Sequence, residues 1–103
     1  MDKDQIFTDE AIRDQADHTS SISYTGEFNA QTIGLINTLD QQVDFTLQGC
    51  VDTTWFDIST FSIAATTNDY QTITDYFECY RLVASCPATP TTGNLNVWVV
   101  KSK

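Results

Sequence analysis

Cations are scarce in this chain. Five Lys and Arg stand against fourteen Asp and Glu in 103 residues, a formal charge of -9, and no Lys or Arg occurs between Arg13 and Arg81. Binding to phosphate backbones draws mainly on Lys and Arg displacing counterions, so nucleic acid is excluded as a partner. Long apolar runs are also missing. The longest, Val97-Trp98-Val99-Val100, falls far short of the roughly 20 residues that span a bilayer. The first residues, MDKDQIF, are acidic rather than basic, so neither a membrane segment nor a signal peptide is expected. Cysteine is limited to Cys50, Cys79 and Cys86, an odd number with no C-x-x-C spacing. A disulfide framework and a zinc site are therefore not indicated, and free, partly buried thiols made in a reducing cytoplasm are expected. Four glycines provide no Gly-rich phosphate loop.

The chain is instead rich in threonine, with sixteen, and in apolar residues, at 41%. Thr is stiff at χ1 and packs well on a pleated surface with one wet face, so this composition reads as β structure. In Val43-Asp44-Phe45-Thr46-Leu47 apolar and polar residues alternate, the period of a half-buried strand. Residues 32–39, separated from Val43 by Asp40-Gln41-Gln42, are expected to pair with that strand as a hairpin. From Trp55 to Ala64 the pattern changes phase, and a bulge or kink near Ser59-Thr60 explains the change, because one extra residue sends every later side chain to the other face. Residues 65–69 read as a loop. Tyr80, Leu82, Ala84 and Cys86 fall on one strand face, and after the loop from Pro87 to Gly93 the final strand, Asn94 to Lys101, is apolar on both faces, which places it centrally. Six or seven short strands with no ten-residue helical pattern after residue 20 predict an all-β fold, an antiparallel two-sheet β-sandwich or jelly roll over residues 21–103. Residues 1–20 hold six of the fourteen acids and few apolar anchors (Ile6, Phe7, Ile12). They are expected to form an acidic N-terminal arm ordered by whatever it packs against, either a helix capped by Thr8 or an extended segment.

Few residues suggest chemistry. The single histidine, His18, lies in the polar run Asp17-His18-Thr19-Ser20 and reads as a surface or turn residue rather than as the base for a cysteine nucleophile. Asp40, Asp44, Asp52, Asp57, Asp69 and Asp75 fall in turns and on wet strand faces. No D-x-D-x-D-G calcium loop is present, so no metal site, cofactor or catalytic residue is assigned. Trp55, Phe56, Tyr70, Tyr76, Phe77, Tyr80 and Trp98 either fill a core or subunit interface or form a platform for sugar rings. Arg81, the lone cation of a long acidic stretch, is expected to pair with a carboxylate within or between subunits.

From about Thr19 to Lys101 the order of parts resembles the small β-sandwich accessory proteins in the virions of tailed viruses, of the capsid decoration, turret and head-tail or tail adaptor type. The resemblance is carried by Asn37-Thr38-Leu39-Asp40, then VDFTLQGCVD, WFDISTFSIAA, YFECYRLVAS, the loop CPATPTTGN and the closing strand LNVWVV. It implies a non-enzymatic virion subunit, made in the host cytoplasm, that assembles as a symmetric homo-oligomer on a capsid and touches other virion proteins such as a major capsid protein. Candidate interface residues are then Ile6, Phe7, Ile12, Trp55, Tyr76, Arg81 and Trp98. Three cysteines and an unusually acidic arm depart from that pattern. Excess carboxylate with little lysine also keeps proteins hydrated in concentrated salt, which fits a haloarchaeal virus. A carbohydrate-binding module reading host glycans is the alternative reading.

Overall fold

The computed structural model describes residues 2–103. They form nine strands: β1 (Asp2–Glu10), β2 (His18–Thr19), β3 (Ser23–Tyr24), β4 (Ala30–Asn37), β5 (Val43–Val51), β6 (Thr54–Ile63), β7 (Thr67–Ile73), β8 (Cys79–Ser85) and β9 (Leu95–Ser102). No helix occurs among the described residues. One sheet runs β1-β9-β4-β7 and the other β2-β8-β5-β6, with β3 also pairing with β8. Every pairing is antiparallel. The fold is a β-sandwich, as the threonine content and the alternation predict.

Alternation sets the core. Val43, Phe45 and Leu47 of β5, Tyr80, Leu82 and Ala84 of β8, Ile33 and Leu35 of β4, and Leu95, Val97 and Val99 of β9 are all buried and share one cluster. Each Val, Leu, Ile or Phe side chain among them withdrawn from water contributes about 1.5–3 kcal/mol to folding. β9 is central in its sheet, between β1 and β4, and its outward residues Asn96, Trp98 and Val100 are half-buried, as expected for a strand apolar on both sides. The phase change in β6 is a bulge. Leu47 pairs with Ser59 and Gln48 with Asp57, leaving Ile58 as the extra residue, one position from where the pattern had placed it.

Two expectations are corrected. The loop expected over residues 65–69 shrinks to the turn Ala65-Thr66, because β7 begins at Thr67. The hairpin between residues 32–39 and the Val43 strand does not form, because β4 and β5 lie in different sheets. Their connection crosses the sandwich and is held from outside: Thr38 N donates to Asn94 O at 3.0 Å, Asp40 N to Thr92 O at 3.3 Å, and Thr91 N to Asp40 Oδ1 at 2.9 Å. Gly93, at φ 84°, passes so close to the Thr38 carbonyl that a Cβ would lie 1.9 Å from its oxygen. Of the two forms open to residues 1–20, the extended segment forms and the helix capped by Thr8 does not. Asp2–Glu10 is edge strand β1, paired with β9. Register shifts between Gln5 and Phe7 and between Phe7 and Glu10 turn both Ile6 and Phe7 inward. Ile6, Phe7 and Ile12 are 4%, 2% and 0% exposed and belong to this chain's own core. Burying them is what attaches β1 to the sandwich.

Candidate functional site

The outer face of the β2-β8-β5-β6 sheet carries the most differentiated surface. Register builds it in rows across the strands. Tyr24 of β3 is opposite Cys79 of β8, Cys79 is opposite Cys50 of β5, and Cys50 is opposite Trp55 of β6. In the next row Gln48 is opposite Arg81 on one side and Asp57 on the other. The first row, with Ile22, Thr53 and Glu78, lines an open groove of about 490 Å³.

The second row is tied by side chains. Arg81 Nε donates to Gln48 Oε1 at 2.8 Å, and Gln48 Nε2 donates to Asp57 Oδ1 at 2.8 Å. The Arg81 guanidinium lies 3.9 Å from the centre of the Trp55 ring, a cation–π stack. Arg81 makes no carboxylate salt bridge among the described residues, so its expected pairing with an acid within the chain is replaced by an amide and an indole. Glu78 receives the Asp52 N–H at 2.7 Å, which fixes the turn at the groove's end.

The groove floor holds two thiols. Cys50 and Cys79 are 8% and 5% exposed. Burial, and then the hydrogen bond with Cys50, push the Cys79 thiol up to about 11. The Cys79 sulfur is therefore protonated at neutral pH and is not a ready nucleophile. Cys86 lies elsewhere in the core, 1% exposed, and burial raises it too.

The remaining candidates are dispersed. Tyr76 projects from the turn between β7 and β8 at 68% exposure. The following Phe77 turns inward, packing edge-on to Tyr80 with 6.1 Å between ring centres and occupying the space above Gly49. The Tyr80 hydroxyl accepts the Phe77 N–H at 2.8 Å and donates to the Asp75 carbonyl, so this aromatic is structural. Trp98 is on the outer face of the other sheet, half-buried. His18 lies between two acids, 2.8 Å from Asp14 Oδ1 and 3.8 Å from Glu10 Oε2, and away from any cysteine partnership. Asp44 accepts from Ser62 at 2.7 Å and from Gln42 at 2.7 Å. Among the described residues, no group of three or more His, Cys, Asp or Glu is placed to hold a metal ion. Sequence reasoning named Trp55 and Arg81 but missed Ile22, Tyr24, Thr53 and Glu78, whose only signal is the cross-strand register that brings them together.

Neither a protein-family model nor a curated protein matches the sequence.

Proposed function

We propose that the protein is a non-enzymatic structural subunit of a virion, a capsid-associated protein that assembles with copies of itself through the β6–β7 side of the sandwich. One observation carries this reading. β6 and β7 are the edges of their sheets on the same flank, ten and seven residues long, and neither contains Lys, Arg or Pro. Monomeric proteins usually blunt long edges with Lys, Pro, other charges or bulges, and here only the Ile58 bulge, Asp57 and Asp69 serve that end, which leaves most of the open N–H and C=O groups free to recruit another strand. Phe56 and Tyr70, at 48% and 68% exposure, add apolar surface beside those edges, of the kind that symmetric assembly buries. The likeness to virion accessory proteins supplies the biological setting. The test is light scattering after size exclusion at low and at high salt, with wild type beside a Thr60→Lys/Tyr70→Lys double variant. A symmetric oligomer for wild type and a monomer for the variant are expected. A wild-type monomer in every condition would overturn the reading.

A second reading rests on the groove. Trp55 and Tyr24 offer aromatic surface beside the Arg81, Gln48 and Asp57 row, a combination suited to a sugar ring and its hydroxyls. Binding on a glycan array that vanishes in Trp55→Ala while the fold persists would favour a carbohydrate-binding module over the assembly subunit.

A further inference from the structure

The groove floor joins two chemistry-bearing side chains that the sequence separates by more than two dozen positions. Cys50 and Cys79 are direct partners in the β5–β8 ladder. They are opposed at the end of the ladder, where the Cys50 carbonyl also accepts the Glu78 N–H at 3.1 Å, and opposed antiparallel residues have Cα atoms about 4.5–5.5 Å apart. That lies within the roughly 4.4–6.8 Å span of disulfides. The two side chains leave the sheet on the same face, and both line the groove, so a small reagent reaches them without unfolding. Cys86, 1% exposed, has neither a cysteine opposite nor a place in the groove.

We infer that Cys50 and Cys79 are a cross-strand dithiol that closes to a disulfide when the protein meets a low-molecular-weight disulfide oxidant. One cysteine loses its proton to solvent, and its thiolate attacks the oxidant's S–S bond, expelling one small thiolate and leaving a mixed disulfide. The opposite cysteine, deprotonated in turn, attacks the protein sulfur of that bond and expels the second small thiolate. Two protein thiols are oxidised and one small disulfide is reduced to two thiols. The new bond staples the two central strands of this sheet and encloses β6 and β7, the edge strands, in a covalent loop. Burial keeps the Cys79 thiol protonated at neutral pH, which makes closure slow there, so the reaction is set by prolonged exposure to an oxidising medium.

The experiment incubates the folded wild-type protein and a Cys86→Ser variant with oxidised glutathione at about pH 9, where more thiolate is present. Acid quench, denaturation, alkylation and non-reducing peptide mapping follow. In the wild type the three free thiols should fall to one, with a peptide linking Cys50 to Cys79 and a melting temperature several degrees higher that reverts on reduction. The Cys86→Ser protein should lose both remaining thiols. Three alkylatable thiols after incubation, a glutathione adduct persisting on Cys50 or Cys79, or a bridge to Cys86 would each overturn the inference. Wild-type mapping decides the matter alone if Cys86→Ser does not fold.

Discussion

Lys101 Nζ lies 2.8 Å from Asp4 Oδ2, joining the last strand to the first at one end of the sandwich. Nζ also donates to the Tyr24 carbonyl at 2.8 Å, and Ser23 Oγ donates to the same Asp4 oxygen at 2.8 Å. The lysine side chain is 7% exposed and the aspartate 39%, so the two ends of the pair differ in what each would leave behind. Asp4→Ala strands a buried ammonium and is expected to cost about 2 kcal/mol or more, whereas Lys101→Met leaves a carboxylate that water can reach and should cost less. Urea unfolding of both variants checks the order. Equal losses would show that burial of the lysine is not what makes the pair important.

The same pair gives the acid limb of stability a definite sign. The hydrogen bond from Lys101, opposed by burial and aided by Ser23, holds the Asp4 carboxyl below its usual 3.8. A carboxyl depressed on folding contributes stability that is fully present above its unfolded value and is lost as the pH falls through the folded one. Thermal melts between about pH 5 and pH 2 should therefore fall less steeply for Asp4→Asn than for wild type. Asp14 and Asp40 are also depressed, by His18 and Thr91 respectively, so part of the slope remains in that variant.

Glycine substitutions should rank by what a Cβ would meet. At Gly93 it would strike the Thr38 backbone, in a conformation at φ 84° that side chains disfavour. Gly93→Ala is expected to cost roughly 3 kcal/mol or more. At Gly49 the obstacles are the Phe77 ring and the Ile58 Cδ1, side chains that can shift, and at Gly26 nothing lies near although φ is 57°. Gly26→Ala should cost about 1 kcal/mol. Chemical denaturation of the three variants measures the order.

Removing the cation from the Trp55 ring should be visible optically. In a Trp98→Phe background, Arg81→Ala exposes one indole face to water and should shift the emission of Trp55 to the red, with a stability loss of about 1 kcal/mol. Arg81→Lys restores charge but not the planar stack, and its spectrum should lie between the two. An unchanged spectrum in Arg81→Ala would mean that the stack does not persist in solution.

Much of the fold was legible because alternation reports burial directly. β5, β8 and β9 carry the expected faces, and the phase change between Asp57 and Phe61 located the β6 bulge to within one residue. Pairing was less legible. The stretch around Asp40 reads as a hairpin turn from its neighbours alone, and what makes it a crossing between sheets is the distant loop of Thr91, Thr92 and Gly93. For the first strand a helix and an extended segment both stayed open for a similar reason. Ile6 and Phe7 do not alternate, because register shifts in β1 turn both inward, and a bulge in an edge strand depends on the partner β9. For the groove, Trp55 and Arg81 stood out by type. Cys50 and Cys79 could be joined only once the β5–β8 register was known.

The place of β9 in its sheet also determines when that sheet can exist. β1 and β4 both pair with it and not with each other, so as the chain leaves the ribosome the N-terminal strand and β4 wait without their shared neighbour until Leu95–Ser102 has been made. Closing Asp2 against Lys101 spans nearly the whole described chain, and contacts of such separation slow folding. Nascent chains stalled before residue 95 should therefore hold Ile6, Phe7, Ile33 and Leu35 exposed, as substrates for chaperones and proteases, and acquire protease resistance abruptly once the final strand has emerged.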